Sequence, residues 1–263
     1  MNLKASFNRL LGLSDESSQQ NFFANTRIGD RKVNQDYHAH LFDNKGSLLI
    51  VADGLGGHQG GELASRLFCE SLILLARNSI NDLCTDPDQT LESLAAQAAD
   101  LMSKTLEDDY PGIDAHTTCV VCWINTSNNK LTTLHIGDSR VYRFNEKEII
   151  WRSRDHSVVQ MLVDTGQLTE EEMGTHPEQG ALTRSIGVGK KTKATVKTQS
   201  TPMQKGEALL LCSDGLWEMV SKKEICALAK KKNTEKQLHK LMSAAVKRAA
   251  PKSDNVTAEL LLF

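Results

Sequence analysis

The chain has 263 residues, of which 40% are hydrophobic, 24% charged and 5% aromatic, a balance that excludes intrinsic disorder and collagen-like arrays. Its 31 Lys and Arg against 33 Asp and Glu leave a formal net charge of -2. That lacks the basic excess needed to neutralise a phosphate backbone, so no nucleic-acid partner is expected.

Residues 1–21 place Leu3, Phe7, Leu10 and Leu11 at helical spacing. They read as a surface-packed N-terminal extension, with an apolar stretch too short and interrupted for a signal peptide. One domain is expected from residue 22 to residue 263, opening with strands at 22–28, 37–42 and 48–52. Ala64, Leu67, Phe68, Ser71, Leu72 and Leu75 then keep the spacing of a buried helical stripe. A second helix is expected over 89–106, with Asp88 as its N-cap. Strands follow at 117–124, 131–136, 140–144 and 149–152, then a short helix at 157–164 within a polar stretch reaching residue 187. Strands at 194–198 and 208–212, helices at 222–230 and 234–249 and a final strand at 256–263 complete the pattern. Meander blocks of strands separated by helix pairs imply an α+β fold with antiparallel sheets. No apolar run reaches the roughly 18–20 residues of a membrane span. The six cysteines sit mostly in apolar runs and suggest no disulfide framework, so a cytoplasmic location and a monomer are expected.

The aspartates carry the chemistry. The apolar run 48–52 ends in Asp53-Gly54-Leu55, and 208–213 repeats the design with Asp214-Gly215-Leu216. Asp36 and Asp254 precede strands. Because the C-terminal end of one antiparallel strand adjoins the start of its neighbour, all four could gather at one sheet edge. Such a group needs a compensating charge, and oxygen-only ligation suits Mg²⁺ or Mn²⁺ rather than zinc. Arg31, on the connection entering the same edge, carries a guanidinium fork that matches a phosphate.

Seven segments in order extend this pattern: Asn34-Gln35-Asp36, Val51-Ala-Asp-Gly-Leu-Gly-Gly-His-Gln-Gly-Gly-Glu62, His135-Ile-Gly-Asp-Ser-Arg140, Asp155-His-Ser157, Leu182-Thr-Arg-Ser-Ile-Gly187, Ser213-Asp-Gly-Leu-Trp-Glu218 and Ser253-Asp-Asn-Val-Thr257. Together they resemble the metal-dependent protein Ser/Thr phosphatases (PPM, or type 2C, family) in their bacterial form. The resemblance implies a sandwich of two antiparallel β-sheets flanked by pairs of α-helices. It also implies a site for two Mn²⁺ or Mg²⁺ ions, with provision for a third. By motif, Asp53 would bridge both ions with the Gly54 carbonyl helping, Asp214 and Asp254 would hold the second, Asp36 would orient water, and Arg31 would grip the substrate phosphate. A hydroxide between the ions would attack phosphorus directly. Gln35 departs from relatives that carry a metal-ligating Glu there. For a third ion, Asp114 and Asp109 both stay open. His58 reads equally as a general acid or as a loop residue. Residues 155–187 are similar to the family's flap.

Other motifs fail. The glycines at 54–61 are followed by Glu62-Leu63, not the Lys-Ser/Thr of a P-loop. Strand alternation puts Cys119 and Cys122 on opposite faces. His38 and His40 share one strand face, yet no third metal ligand is evident at suitable spacing, which favours a packed role. The expected function is hydrolysis of phosphoserine and phosphothreonine on proteins, opposing a Ser/Thr kinase. Two rivals stand beside it, a pseudophosphatase that binds without turnover and a hydrolase of small phosphoesters.

Overall fold

The computed structural model describes residues 21–55, 60–189, 193–199, 201–230 and 234–263. The N-terminal extension, His58 and most of the glycine-rich loop lie outside these residues. Along the chain run β1 (Phe22–Arg27), β2 (Asp36–Asp43), β3 (Gly46–Leu55), α1 (Gly60–Asn78), α2 (Ile80–Thr85), α3 (Pro87–Asp109), β4 (His116–Thr117), β5 (Cys119–Asn125), β6 (Leu131–Ile136), β7 (Arg140–Phe144) and β8 (Ile149–Arg152). Then come α4 (Val158–Asp164), a 3₁₀ turn (Glu170–Thr175), β9 (Ile186–Gly187), β10 (Thr195–Thr198), β11 (Ala208–Cys212), α5 (Asp214–Trp217), α6 (Lys222–Ala227), α7 (Thr234–Ala249) and β12 (Val256–Leu262).

The strands form two sheets, one ordered β1-β12-β11-β7-β8 and the other β10-β6-β5-β3-β4-β9, with β2 also paired to β3. Every pairing is antiparallel, as the meander pattern predicts.

Alternation along the strands sorts the side chains into three apolar layers. In β3, Leu48, Ile50 and Ala52 join Phe68, Leu72, Leu94 and Met102 of α1 and α3. In β11 and β12, Leu210, Cys212, Ala258 and Leu260 pack against Leu238, Leu241 and Met242 of α7. The alternate residues Leu49, Val51, Leu209, Leu211 and Leu261 meet between the sheets. The result is helices, sheet, sheet, helices. Cys119 and Cys122 fall in different layers as expected, and all six cysteines are free.

Two local expectations need correction. The cap of α3 is Asp86, whose carboxylate accepts from the Gln89 amide at 3.2 Å, with Pro87 in the first turn. Proline pre-sets helical φ there, so the helix starts two residues earlier than the apolar pattern suggests. Asp88 instead accepts from Thr198 Oγ1 at 2.6 Å. The second concerns residues 214–217, for which no helix is expected: they form a single helical turn, α5, with Ser213 at its N-cap position.

Candidate active site

The site is built where the two sheets end together. Asp36 and Asp53 are register partners across β2 and β3, so the antiparallel pairing alone sets the two carboxylates side by side. Asp53 is held through its backbone. Its amide donates to Thr118 Oγ1 at 3.1 Å, and its carbonyl accepts from the Thr118 amide and Thr117 Oγ1. From the other sheet, the Ser213 amide donates to the Thr257 carbonyl, while its hydroxyl accepts from the Thr257 amide and donates to Asp36 Oδ2 at 2.7 Å. That bond joins the sheets at the site, a role that the segment opening with Ser213 did not reveal in the sequence.

Close packing explains both Asp-Gly pairs. A Cβ on Gly54 would lie 2.0 Å from the Gly61 carbonyl oxygen, and one on Gly215 would lie 2.1 Å from that of Asn255. Backbone meets backbone at these points, which only glycine allows.

The segment carrying Arg31 is stapled to the loop before β12. Asp30 and Ser253 bond reciprocally, the Asp30 amide giving to Ser253 Oγ and the Ser253 amide to Asp30 Oδ2. Asn255 accepts from the Gln35 amide at 2.8 Å and donates to the carbonyls of Ile28 and Val33. Gln35 thus anchors the loop through its backbone, and its carbonyl accepts from the Gly54 amide and Ser65 Oγ. Across this staple Arg31 donates to Asp254 Oδ2 at 2.6 Å.

The electrostatics follow from the crowding. Burial, with added repulsion from Asp214 and Asp254, pushes Asp36 up to about 7 despite its Ser213 hydrogen bond. Burial and the Asp254 charge raise Asp214 to about 6. Asp53 lies far above the ordinary range, first from burial and then from Asp214, Asp36, Asp138 and Asp254. Asp138, on the β6–β7 connection, is raised in the same way by burial and Asp214. Glu218 reaches about 8 through burial and Asp214. Buried acids that raise one another are stabilised by a nearby positive charge. Asp36 Oδ1 and Asp214 Oδ1 are buried and accept from no protein group. Orphaned buried oxygens of this kind fit divalent metal ions.

Asp36, Asp53, Asp214, Asp254 and Arg31 therefore come together as anticipated. Asp114 does not join them: its carboxylate is 95% exposed and pairs with His116 Nε2. Asp138 occupies the buried position instead. Its motif, Gly137-Asp138-Ser139, was visible in the sequence, but a loop aspartate between two strands carried no mark of its own.

Beside the acids stands a satisfied ion pair. Arg140 binds Asp155 through Nε at 2.9 Å and Nη2 at 2.6 Å, donates Nη1 to Tyr142 and stacks 3.3 Å from the Trp217 ring centroid. The flap-like residues 155–187 continue from this pair. Glu170 ties them down through Arg152 at 2.6 Å and Lys222 at 2.9 Å. A cavity of about 420 Å³ lies between the 3₁₀ turn, Trp217, Glu218 and α6.

Residues 25–257 match the family model described as Protein phosphatase 2C. The serine/threonine protein phosphatase PstP of Mycobacterium tuberculosis is 32% identical over 211 residues, 80% of this chain and 39% of PstP, so the chain spans well under half of that relative. The serine/threonine phosphatase stp of Listeria monocytogenes is 30% identical over 206 residues, 78% of this chain and 80% of stp. Among solved structures, the catalytic domain of PstP in complex with 2 manganese ions superposes with a TM-score of 0.72 at 28% identity, covering 91% of this chain and 96% of that one.

Proposed function

The chain belongs to the protein phosphatase 2C family, the metal-dependent protein serine/threonine phosphatases, and from that premise we propose that it hydrolyses phosphoserine and phosphothreonine monoesters on proteins, reversing the work of a Ser/Thr kinase in the cytoplasm. One observation carries the mechanism: Asp36 Oδ1 and Asp214 Oδ1 are buried, unpaired and surrounded by other acids. In this reading Asp53, Asp214, Asp254 and the Gly54 carbonyl hold two Mn²⁺ or Mg²⁺ ions. When bound, these ions acidify water and offset charge on the phosphoryl oxygens.

The protein's own groups do the rest. Ser213 fixes one oxygen of Asp36, which leaves Oδ1 to accept a proton from the attacking water and align it for in-line displacement. Arg31 is more than half exposed beside Asp254, so it can turn its fork to the incoming phosphate and orient it. Asp138, buried among the acids, is the better candidate than Asp114 for a ligand to a third ion.

The test is turnover of a phosphothreonine peptide, p-nitrophenyl phosphate and a diester with Mn²⁺, then with EDTA. Metal-dependent cleavage of the monoesters is expected, and Asp214→Asn should lower kcat about 100-fold or more, the upper end of what a weakened metal site costs. No Mn²⁺-dependent turnover would favour a pseudophosphatase, and a strong diester preference would defeat the protein-substrate reading.

A further inference from the structure

His38 and His40 gain a third partner in the fold that their sequence neighbourhood lacks. Along β2, Asp36, His38, His40 and Phe42 alternate with Tyr37, Ala39 and Leu41, which pack toward the helices. Along β12, Val256, Ala258, Leu260 and Leu262 face the helices on the other side, leaving Glu259 between the sheets. Its carboxylate is fully buried. Glu259 Oε1 lies 3.1 Å from His38 Nδ1 and 3.1 Å from His40 Nδ1, while Oε2 accepts the Ile50 amide at 3.1 Å.

A carboxylate in an apolar layer requires a positive partner. Among the described residues its ion-pairing groups are these two imidazoles, one of which packs on Phe22 and Phe42. One ligand atom from each of His38, His40 and Glu259 lies within 4.8 Å of the other two. Bonds of about 2.0–2.2 Å around a tetrahedral ion set neighbouring ligand atoms about 3.3 Å apart, close to the 3.1 Å from Glu259 Oε1 to each Nδ1. The Ile50 amide holds the second carboxylate oxygen, the kind of outer contact that fixes a ligand's orientation. The His38 and His40 side chains are 24% and 31% exposed, so an ion can reach the pair from solvent.

We propose that His38, His40 and Glu259 bind a borderline divalent transition ion, with Zn²⁺ the preferred occupant, at a site separate from the carboxylate cluster. The ligand set is two imidazole nitrogens and one oxygen, which selects zinc-like ions, whereas the cluster offers oxygens and selects Mn²⁺ or Mg²⁺. Binding at Nδ1 requires each ring neutral with its proton on Nε2, and a ring that carries a second proton releases it to solvent as the ion binds. The ion would clamp β2 to β12, the strands that begin beside Asp36 and Asp254. This inference is independent of the phosphatase reading.

The experiment uses the full chain with Mn²⁺ present in excess to fill the carboxylate site, titrated with Co²⁺. One equivalent of Co²⁺ should develop the intense visible absorption of a four-coordinate ion, and Zn²⁺ should abolish it. In the His38→Asn/His40→Asn double variant the Co²⁺ affinity should fall about 100-fold or more, with Mn²⁺-dependent turnover retained. No such band in the wild type, or a band unchanged in the variant, overturns the site. A second measurement needs no variant: electron paramagnetic resonance of one equivalent of Cu²⁺ on the wild type should show coupling to two imidazole nitrogens, and coupling to fewer overturns the proposal.

Discussion

Two buried ionic clusters adjoin one another at the end of the sandwich, and they are resolved in opposite ways. Around Arg140, protein meets protein: the guanidinium is bound by Asp155 and Tyr142 and covered by Trp217. Around Asp53, acid meets acid, and Asp36 and Asp214 each keep a buried oxygen without a protein partner. The clusters even touch, since Trp217 Nε1 donates to the Asp138 carbonyl at 2.9 Å. The difference separates a structural use of buried charge from a functional one. Around Arg140 the protein supplies both partners and the charge ties elements of the fold together; around Asp53 the buried acids outnumber the cations facing them, which is the arrangement the proposed metal site requires.

The largest effect expected from this contrast is on the satisfied side. Arg140→Met removes one member of a buried pair and leaves Asp155 the longer Arg152 contact at 3.7 Å, which costs about 3–5 kcal/mol. At about 2–4 °C per kcal/mol for a chain of this size, Tm should fall by roughly 10 °C. Thermal unfolding followed by circular dichroism checks it. A fall of only a degree or two would mean that the Arg140 cluster is no more structural than the acids beside it.

The acidic side should respond with the opposite sign. Asp36 and Asp214, at about 7 and about 6 against an ordinary 3.8, bind protons more tightly folded than unfolded. Their contribution to stability is therefore complete below pH 3.8 and is lost as pH rises through 6 and 7. EDTA-treated protein should lose Tm across that window, and Asp214→Asn, which removes one of the repelling charges, should flatten the loss. Mn²⁺ should raise Tm more at pH 8 than at pH 5, because it competes with protons for the same oxygens. A metal-free Tm that climbs from pH 5 to pH 7 would break the assignment of repulsion to this cluster.

The sequence shows these two clusters unequally. Strands β6, β7, β8 and β11 fall where the apolar runs place them. The Asp-Gly-Leu units mark Asp53 and Asp214 because an apolar run that ends in a carboxylate is conspicuous. Asp138 gives no such signal; it enters the site because the β6–β7 turn folds back, with Gly137 at φ +96 packed on Thr118. Helix α2 is hidden for a different reason, being only six residues long and closed by Asp86 and Pro87. Glu259 is the one charged residue in a hydrophobic strand. Its partners on β2 stand more than two hundred residues away in the chain, and only the packing of one sheet on the other brings them together. Local pattern reveals what a strand carries, but not what it faces across the sandwich.

The smallest expected effect concerns the residue on the border between the two kinds of charge. Arg31 pairs with Asp254 at 2.6 Å, but the arginine is more than half exposed, and such surface pairs contribute about 0–1 kcal/mol. Arg31→Ala should therefore leave Tm within about 4 °C of wild type. If the guanidinium serves the substrate, KM for a phosphothreonine peptide should rise about tenfold, equivalent to about 1.4 kcal/mol. Arg31→Lys should recover part of that loss through its charge but not all of it, since an ammonium cannot reproduce the bidentate fork. Steady-state kinetics beside a melting curve distinguishes the alternatives. A marked loss of Tm with an unchanged KM would move Arg31 into the structural class with Arg140, and the phosphate would then need another cation to receive it.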